Sequence, residues 1–166
     1  MAPIVDGRTF RAEFERRSVV RDGRRKVSIV GDGSSELAEL VGGRCVGDGL
    51  IVIERRIALD QRHGRVNLGR GIVPALDYFG FGDSSPLFLD TETTGLSGGT
   101  GTMVFLIGLA KLSGGHLIFA QCLLTKFQGE SAMLEYAAEF ARDTDLLISY
   151  NGKSFDLPLM ATRYRL

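Results

Sequence analysis

Two carboxylates spaced i, i+2 stand where an apolar run opens into a glycine-bearing turn, in Leu87-Phe88-Leu89-Asp90-Thr91-Glu92-Thr93-Thr94-Gly95. Alternate side chains of a strand share a face, so Asp90 and Glu92 project together at the strand's end. No other acid occurs between Thr93 and Gly129. A carboxylate pair in apolar, glycine-rich surroundings is costly unless something positive lies between the two groups. Two hard oxygen donors on one face suit Mg²⁺ or Mn²⁺. The spacing alone fits a pair of solvated acids in a turn equally well. A third acid, Asp156, closes the string Asn151-Gly152-Lys153-Ser154-Phe155-Asp156 and opens a predicted helix directly after a predicted strand. A helix N-terminus stabilises an ionised carboxylate. Alone, Asp156 reads as an ordinary first-turn acid. In company with Asp90 and Glu92, at the ends of strands able to lie side by side, it reads as a metal ligand.

Three other patterns almost match and are set aside. Gly152-Lys153-Ser154 ends like a phosphate-binding loop, but Leu147 stands where that motif needs its first glycine. Gly99-Thr100-Gly101 has Val104 where a dinucleotide fingerprint needs glycine, and a strand follows where a helix should. Gly95-Leu96-Ser97-Gly98-Gly99 matches a nucleophile elbow in letters only. A strand follows Ser97, and no acid lies between it and His116. His63 reads as a surface or packing residue.

The elements that must position the acids follow from hydrophobic period. Residues 1–33 are rich in arginine and broken by glycine, without a clean period, and read as a mobile basic arm. A short helix is predicted from Ser34, with Leu37, Leu40 and Val41 on its apolar face and Gly42-Gly43 as its stop. Arg44–Val46 and Leu50–Ile57 flank Gly47-Asp48-Gly49 as two strands. A polar loop begins at Arg62-His63-Gly64 and continues past Gly71, and residues 77–85 read as a linker. Pro86 introduces the strand that carries the acids. Met103–Leu112 is a predicted buried strand, Ser113-Gly114-Gly115 its turn, and His116–Thr125 its hairpin partner. Over 130–142, Met133, Leu134, Ala137, Phe140 and Ala141 fall on one helical face. A strand over 145–150 and a helix after Ser154, with Pro158 in its first turn, complete the pattern. The expected division is thus an arm (1–33), a helix and hairpin extension (34–85) and an α/β domain (86–166).

Composition excludes several classes. An apolar share of 44% with 24% charged residues is that of a soluble globular chain. Cys45 and Cys122 form no CxxC pattern, and two histidines are too few for a histidine-built metal cluster. No apolar run reaches the ~18–20 residues of a membrane span. No secretory signal is evident either, so a cytoplasmic location without a membrane role is expected. The net charge of zero conceals 14 Lys and Arg against 10 acids in residues 1–70, and 6 against 10 in 71–166. An acidic half meets phosphate only if bound divalent ions reverse its local charge.

Phe-Leu-Asp-Thr-Glu-Thr-Thr-Gly-Leu at 88–96 resembles the first motif of the DEDD (DnaQ-like) 3′–5′ exonucleases, and Asn-Gly-Lys-Ser-Phe-Asp at 151–156 resembles their second. Within that superfamily the longer string 87–102, with the preceding Ile-Glu-Arg-Arg and His-Gly segments, is similar to the YprB-type ribonuclease H-like domains. The resemblance implies a ribonuclease H-like mixed sheet flanked by helices, with the acid-bearing strand central. It implies two Mg²⁺ or Mn²⁺ ions held by Asp90, Glu92 and Asp156, one activating a water and the other stabilising the leaving oxygen of a phosphodiester. Thr93, Thr94, Gly95, Leu96, Thr100, Asn151 and Phe155 are then the expected substrate contacts, and single-stranded DNA or RNA the expected partner. The family's fourth acid and its water-activating Tyr or His lie on a later helix. The chain stops at Leu166, before that helix, so a fragment of a longer metal-dependent exonuclease is expected. The alternative is a nucleic-acid-binding or interaction module that keeps the fold without turnover.

Overall fold

The computed structural model describes residues 34–95, 101–152 and 154–165. The predicted arm at 1–33 and two predicted substrate contacts, Leu96 and Thr100, lie outside them. The described chain runs α1 (Ser34–Val41), β1 (Arg44–Cys45), β2 (Leu50–Ala58), β3 (Arg62–His63), β4 (Val66–Asn67), α2 (Leu68–Tyr78) and β5 (Pro86–Thr93). It continues with β6 (Val104–Ser113), β7 (His116–Leu124), a 3₁₀ turn at Phe127–Gly129, α3 (Glu130–Ala141), β8 (Leu146–Ser149) and α4 (Asp156–Arg165). Six strands form one mixed sheet in the order β1-β2-β7-β6-β5-β8. Among the described residues only β5 and β8 pair in parallel, from Pro86 opposite Leu146 to Leu89 opposite Ser149. The expected α/β mixed sheet is therefore present, with the hairpin β6–β7 on one side of the acid-bearing strand and β8 on the other.

Period-2 alternation sorts the side chains to two faces. Leu50, Val52, Leu87, Leu89, Ile107, Leu109, Ala120 and Cys122 pack with Met133, Leu134, Ala137 and Phe140 of α3 and with Leu159 and Met160 of α4. On the opposite face Ile51 and Ile53 meet Ala38 of α1. Beside them Ala110, Leu117 and Phe119 meet Ile72 of α2 and Phe88. β2 pairs with β7 along its whole length, from Leu50 opposite Leu124 to Ala58 opposite His116. Segment 34–85 thus supplies two strands of the same sheet that carries the acids.

One sequence expectation is corrected here. The polar loop read from Arg62 past Gly71, and the linker read from Asp77, contain the β3–β4 hairpin and the eleven residues of α2. Gly69, Gly71 and Pro74 each weaken a helix, which is why the local signal is poor. Tertiary contacts override it. Asn67 caps the helix, its side chain accepting from the Arg70 amide at 3.0 Å. Ile72 and Leu76 supply the buried side, and Gly80, at φ +80°, ends the helix with the Phe81 amide on the Leu76 carbonyl at 2.8 Å.

Cys122 lies at the centre of the main core with no exposed surface. Burial, reinforced by the Glu54 carboxylate, pushes its thiol up from 9.0 to about 12. A raised pKa stabilises the fold fully below the unfolded value and is lost as pH climbs toward the folded one. Stability should therefore fall between about pH 9 and 12, with the thiol contributing up to about 1.4 kcal/mol per pH unit. Urea melts across that window should show a shallower decline in Cys122→Ala. An unchanged slope in the variant would remove the thiol from the account.

Candidate active site

Asp90 and Glu92 share the face of β5 opposite to Leu87 and Leu89, as the alternation requires. Asp90 is exposed and Glu92 half-buried. The β5–β6 register shifts between Glu92 and Thr93, so the ladder breaks just where the acids end. Beyond it the chain folds back. The Thr94 amide donates to the Met103 carbonyl at 2.9 Å, the Met103 amide donates to the Thr94 hydroxyl oxygen at 3.1 Å, and the Thr93 hydroxyl donates to the Gly95 carbonyl at 2.8 Å. Thr93, Thr94 and Gly95 thus shape the turn that follows the acids.

Asp90 pairs across the sheet with Gly108, and Gly108 with Gln121. Paired residues share a face, so Asp90 and Gln121 flank a position with no side chain, about 10 Å apart at the Cα atoms. A Cβ added at Gly108 would find only the Asp90 carbonyl oxygen, at 3.8 Å. Gln121 is 5% exposed, and its Oε1 is buried without a hydrogen-bond partner. Sequence reading passed over this residue; its signal is a lone amide inside the apolar strand His116–Leu124.

Asp156 opens α4 and is 5% exposed. Its position depends on the turn before it. Asn151 takes a left-handed φ of +58°, the Ser154 amide donates to the Asn151 carbonyl, and the Leu157 amide donates to the Gly152 carbonyl at 2.9 Å. A Cβ on Gly152 would lie 2.1 Å from the Ser149 hydroxyl oxygen, so only glycine fits. Phe155 packs against the main core, while Asn151 is exposed.

The structure brings Asp156 to β5, but to Thr91, whose hydroxyl donates to its Oδ1. Thr91 stands between the two acids in sequence and faces the opposite side of the strand. Among the described residues, no three His, Cys, Asp or Glu side chains gather into a group able to hold a metal. By donor chemistry, Asp90 and Glu92 fit one hard cation. The three-carboxylate set is not assembled.

Beside Thr94, an open groove of about 380 Å³ is lined by Met103, Phe105, Leu124, Lys126 and Phe127 among others. Phe127 is 73% exposed, and Lys126 is held by Asp48 at 2.8 Å. Exposed aromatic rings beside a cation are the elements of a base-stacking platform. Phe105, Lys126 and Phe127 were not singled out from the sequence.

Comparison with known proteins agrees with this fold. Residues 87–166 match the model of the RNase_H superfamily. The Uncharacterized protein YprB of Bacillus subtilis (strain 168) is 33% identical over 129 residues, covering 70% of this chain. The chain spans about 30% of the length of that relative. No helix among the described residues is long and apolar enough to cross a membrane.

Proposed function

We propose that this chain, a member of the RNase_H superfamily through residues 87–166, is part of a metal-dependent nuclease that cleaves phosphodiester bonds from the 3′ end of single-stranded DNA or RNA. The observation that carries the reading is the Asp90–Glu92 pair on one face of a broken strand end, beside a groove lined by Thr94, Phe105 and Phe127. Asp90 and Glu92 would hold Mg²⁺ or Mn²⁺. Such an ion supplies the positive charge that offsets oxygens gaining negative charge during in-line displacement. The groove aromatics would stack the terminal bases, and the turn Thr93–Gly95 would approach the sugar. A two-ion site would need Asp156 as well, freed from Thr91. Cytoplasmic action is part of the same proposal.

A second reading, a nucleic-acid-binding module without turnover, draws on one observation: Asp156 is engaged by Thr91 on the opposite face of β5. The deciding assay follows nucleotide release from 5′-labelled single-stranded DNA and RNA with Mg²⁺, with Mn²⁺ and with EDTA. The nuclease reading expects shortening that EDTA abolishes. Binding without shortening under every condition would favour the second. Thermal melts add a check independent of turnover. Mn²⁺ at ten times its Kd should stabilise the native state by roughly 1.4 kcal/mol, and Asp90→Ala should remove that shift.

A further inference from the structure

The β3–β4 hairpin and the first turn of α2 together line a cavity of about 360 Å³ with Arg62, Arg65, Asn67 and Arg70. All three arginines are exposed, and among the described residues none forms an ion pair with a carboxylate. No acid occurs between Asp60 and Asp77, and α2 has none in its first turn. Among the described residues, three guanidinium groups and the positive end of an eleven-residue helix therefore converge without an acidic partner.

The local hydrogen bonds sharpen what this site can take. The Leu68 amide is already bonded to the Gln61 carbonyl at 3.0 Å, and the Gly69 amide to the Leu59 carbonyl at 2.7 Å. The Arg70 amide is bonded to Asn67 Oδ1. The first-turn amides are spent on holding the hairpin to the helix. Arg62 steadies the hairpin itself, its guanidinium donating to the Arg65 carbonyl at 3.1 Å. Anion binding thus falls to the remaining guanidinium donors, which favour phosphate oxygens through paired N–H groups.

We propose that Arg62, Arg65 and Arg70 form a cradle for the phosphodiester backbone of a nucleic-acid strand. The identity of the strand rests on the nuclease reading; the anion site does not. The hairpin joins the sheet where the Leu59 amide meets the Gly115 carbonyl, past Ser113. From Gly108, the partner of Asp90, to Ser113 is about 17 Å along the strand. At 3.4 Å per phosphate on one strand, that stretch alone corresponds to about five nucleotides, and the cradle lies beyond it. The cradle would hold the body of a strand whose end lies at the acids.

The test is binding of 20-nucleotide single-stranded DNA and RNA in EDTA, by fluorescence anisotropy across a salt series, so that neither metal nor hydrolysis enters. Arg65→Gln/Arg70→Gln spares the structural bond from Arg62. It should lower affinity and flatten the salt slope by about 1.4 log units, two phosphate contacts at ~0.7 each, with unchanged melting. Should the double variant unfold, Arg65→Gln alone should lose about 0.7. Wild-type slope and affinity in a folded variant would overturn the proposal. So would inorganic phosphate or pyrophosphate stabilising the wild type alone while both proteins bind the strand equally, because the cradle would then serve a small phosphate-bearing molecule. Slope loss without EDTA-sensitive cleavage would sink the nuclease reading and leave the cradle standing. Cleavage with an unchanged slope would do the reverse.

Discussion

Asp90→Ala is expected to lower strand shortening by about 10²–10⁴-fold, the several kcal/mol that a held divalent cation contributes to such a reaction. Because Asp90 is exposed, its removal should leave stability within about 0.5 kcal/mol of wild type. Asp156→Ala tests a different mixture. That carboxylate is buried and accepts the hydroxyl of the half-buried Thr91, so truncation removes a buried acceptor from that bond and should cost roughly 1–3 kcal/mol. Asp156→Asn keeps an acceptor for Thr91 and should recover most of that stability. If Asp156 is also a ligand in turnover, the asparagine variant stays inactive while folded. If it only braces α4 against β5, the asparagine variant keeps its activity. Steady-state shortening assays paired with urea melts on the three variants separate the two roles. Full activity in Asp90→Ala would show that the site lies elsewhere.

The residues that were legible in the sequence are those whose neighbours are local. Met133, Leu134, Ala137 and Phe140 give α3 away by their spacing, and the buried set of β6 and β7 around Gly114-Gly115 announces a hairpin. α2 was hidden because its own residues argue against it. A capping Asn67 and the packing of Ile72 against the cluster of Ala110, Leu117 and Phe119 outweigh two glycines and a proline. β2 was legible as a strand but its partner was not. It pairs with β7, whose residues lie more than fifty positions away, and nothing local sets that pairing. The acids divide the same way. Asp90 and Glu92 share a face by pleat parity, which sequence fixes. Whether Asp156 meets their face or the other depends on how α4 approaches the sheet, and that is set by long-range packing.

The approach of α4 rests on the contact with the largest expected effect on stability. Arg163 Nε and Nη2 donate to Glu130 Oε1 and Oε2, each at 2.5 Å, with the two side chains only 12% and 18% exposed. Hydrogen bonding to the carboxylate holds the Arg163 guanidinium above its ordinary pKa. Glu130 stands in the first turn of α3 and Arg163 in the last turn of α4, so each charge also faces the favourable end of its own helix dipole. One residue on, the Tyr164 hydroxyl donates to the Leu134 carbonyl at 2.6 Å. The two helices are thereby clamped at the end of α4 remote from Asp156. Removing one member of a nearly buried pair strips the other of its paired, charge-assisted hydrogen bonds, at a typical cost of 3–5 kcal/mol. Residual exposure brings the expectation for Glu130→Ala to about 3 kcal/mol. Replacing both members by apolar residues strands no charge and is often neutral. Glu130→Leu/Arg163→Met should therefore lie closer to wild type than either single change. A cycle of urea melts measures this directly. Additive losses, or a loss under 0.5 kcal/mol for Glu130→Ala, would mean that solvent screens the pair and that the apolar contacts of Leu159 and Met160 alone hold α4, and with it Asp156, against the sheet.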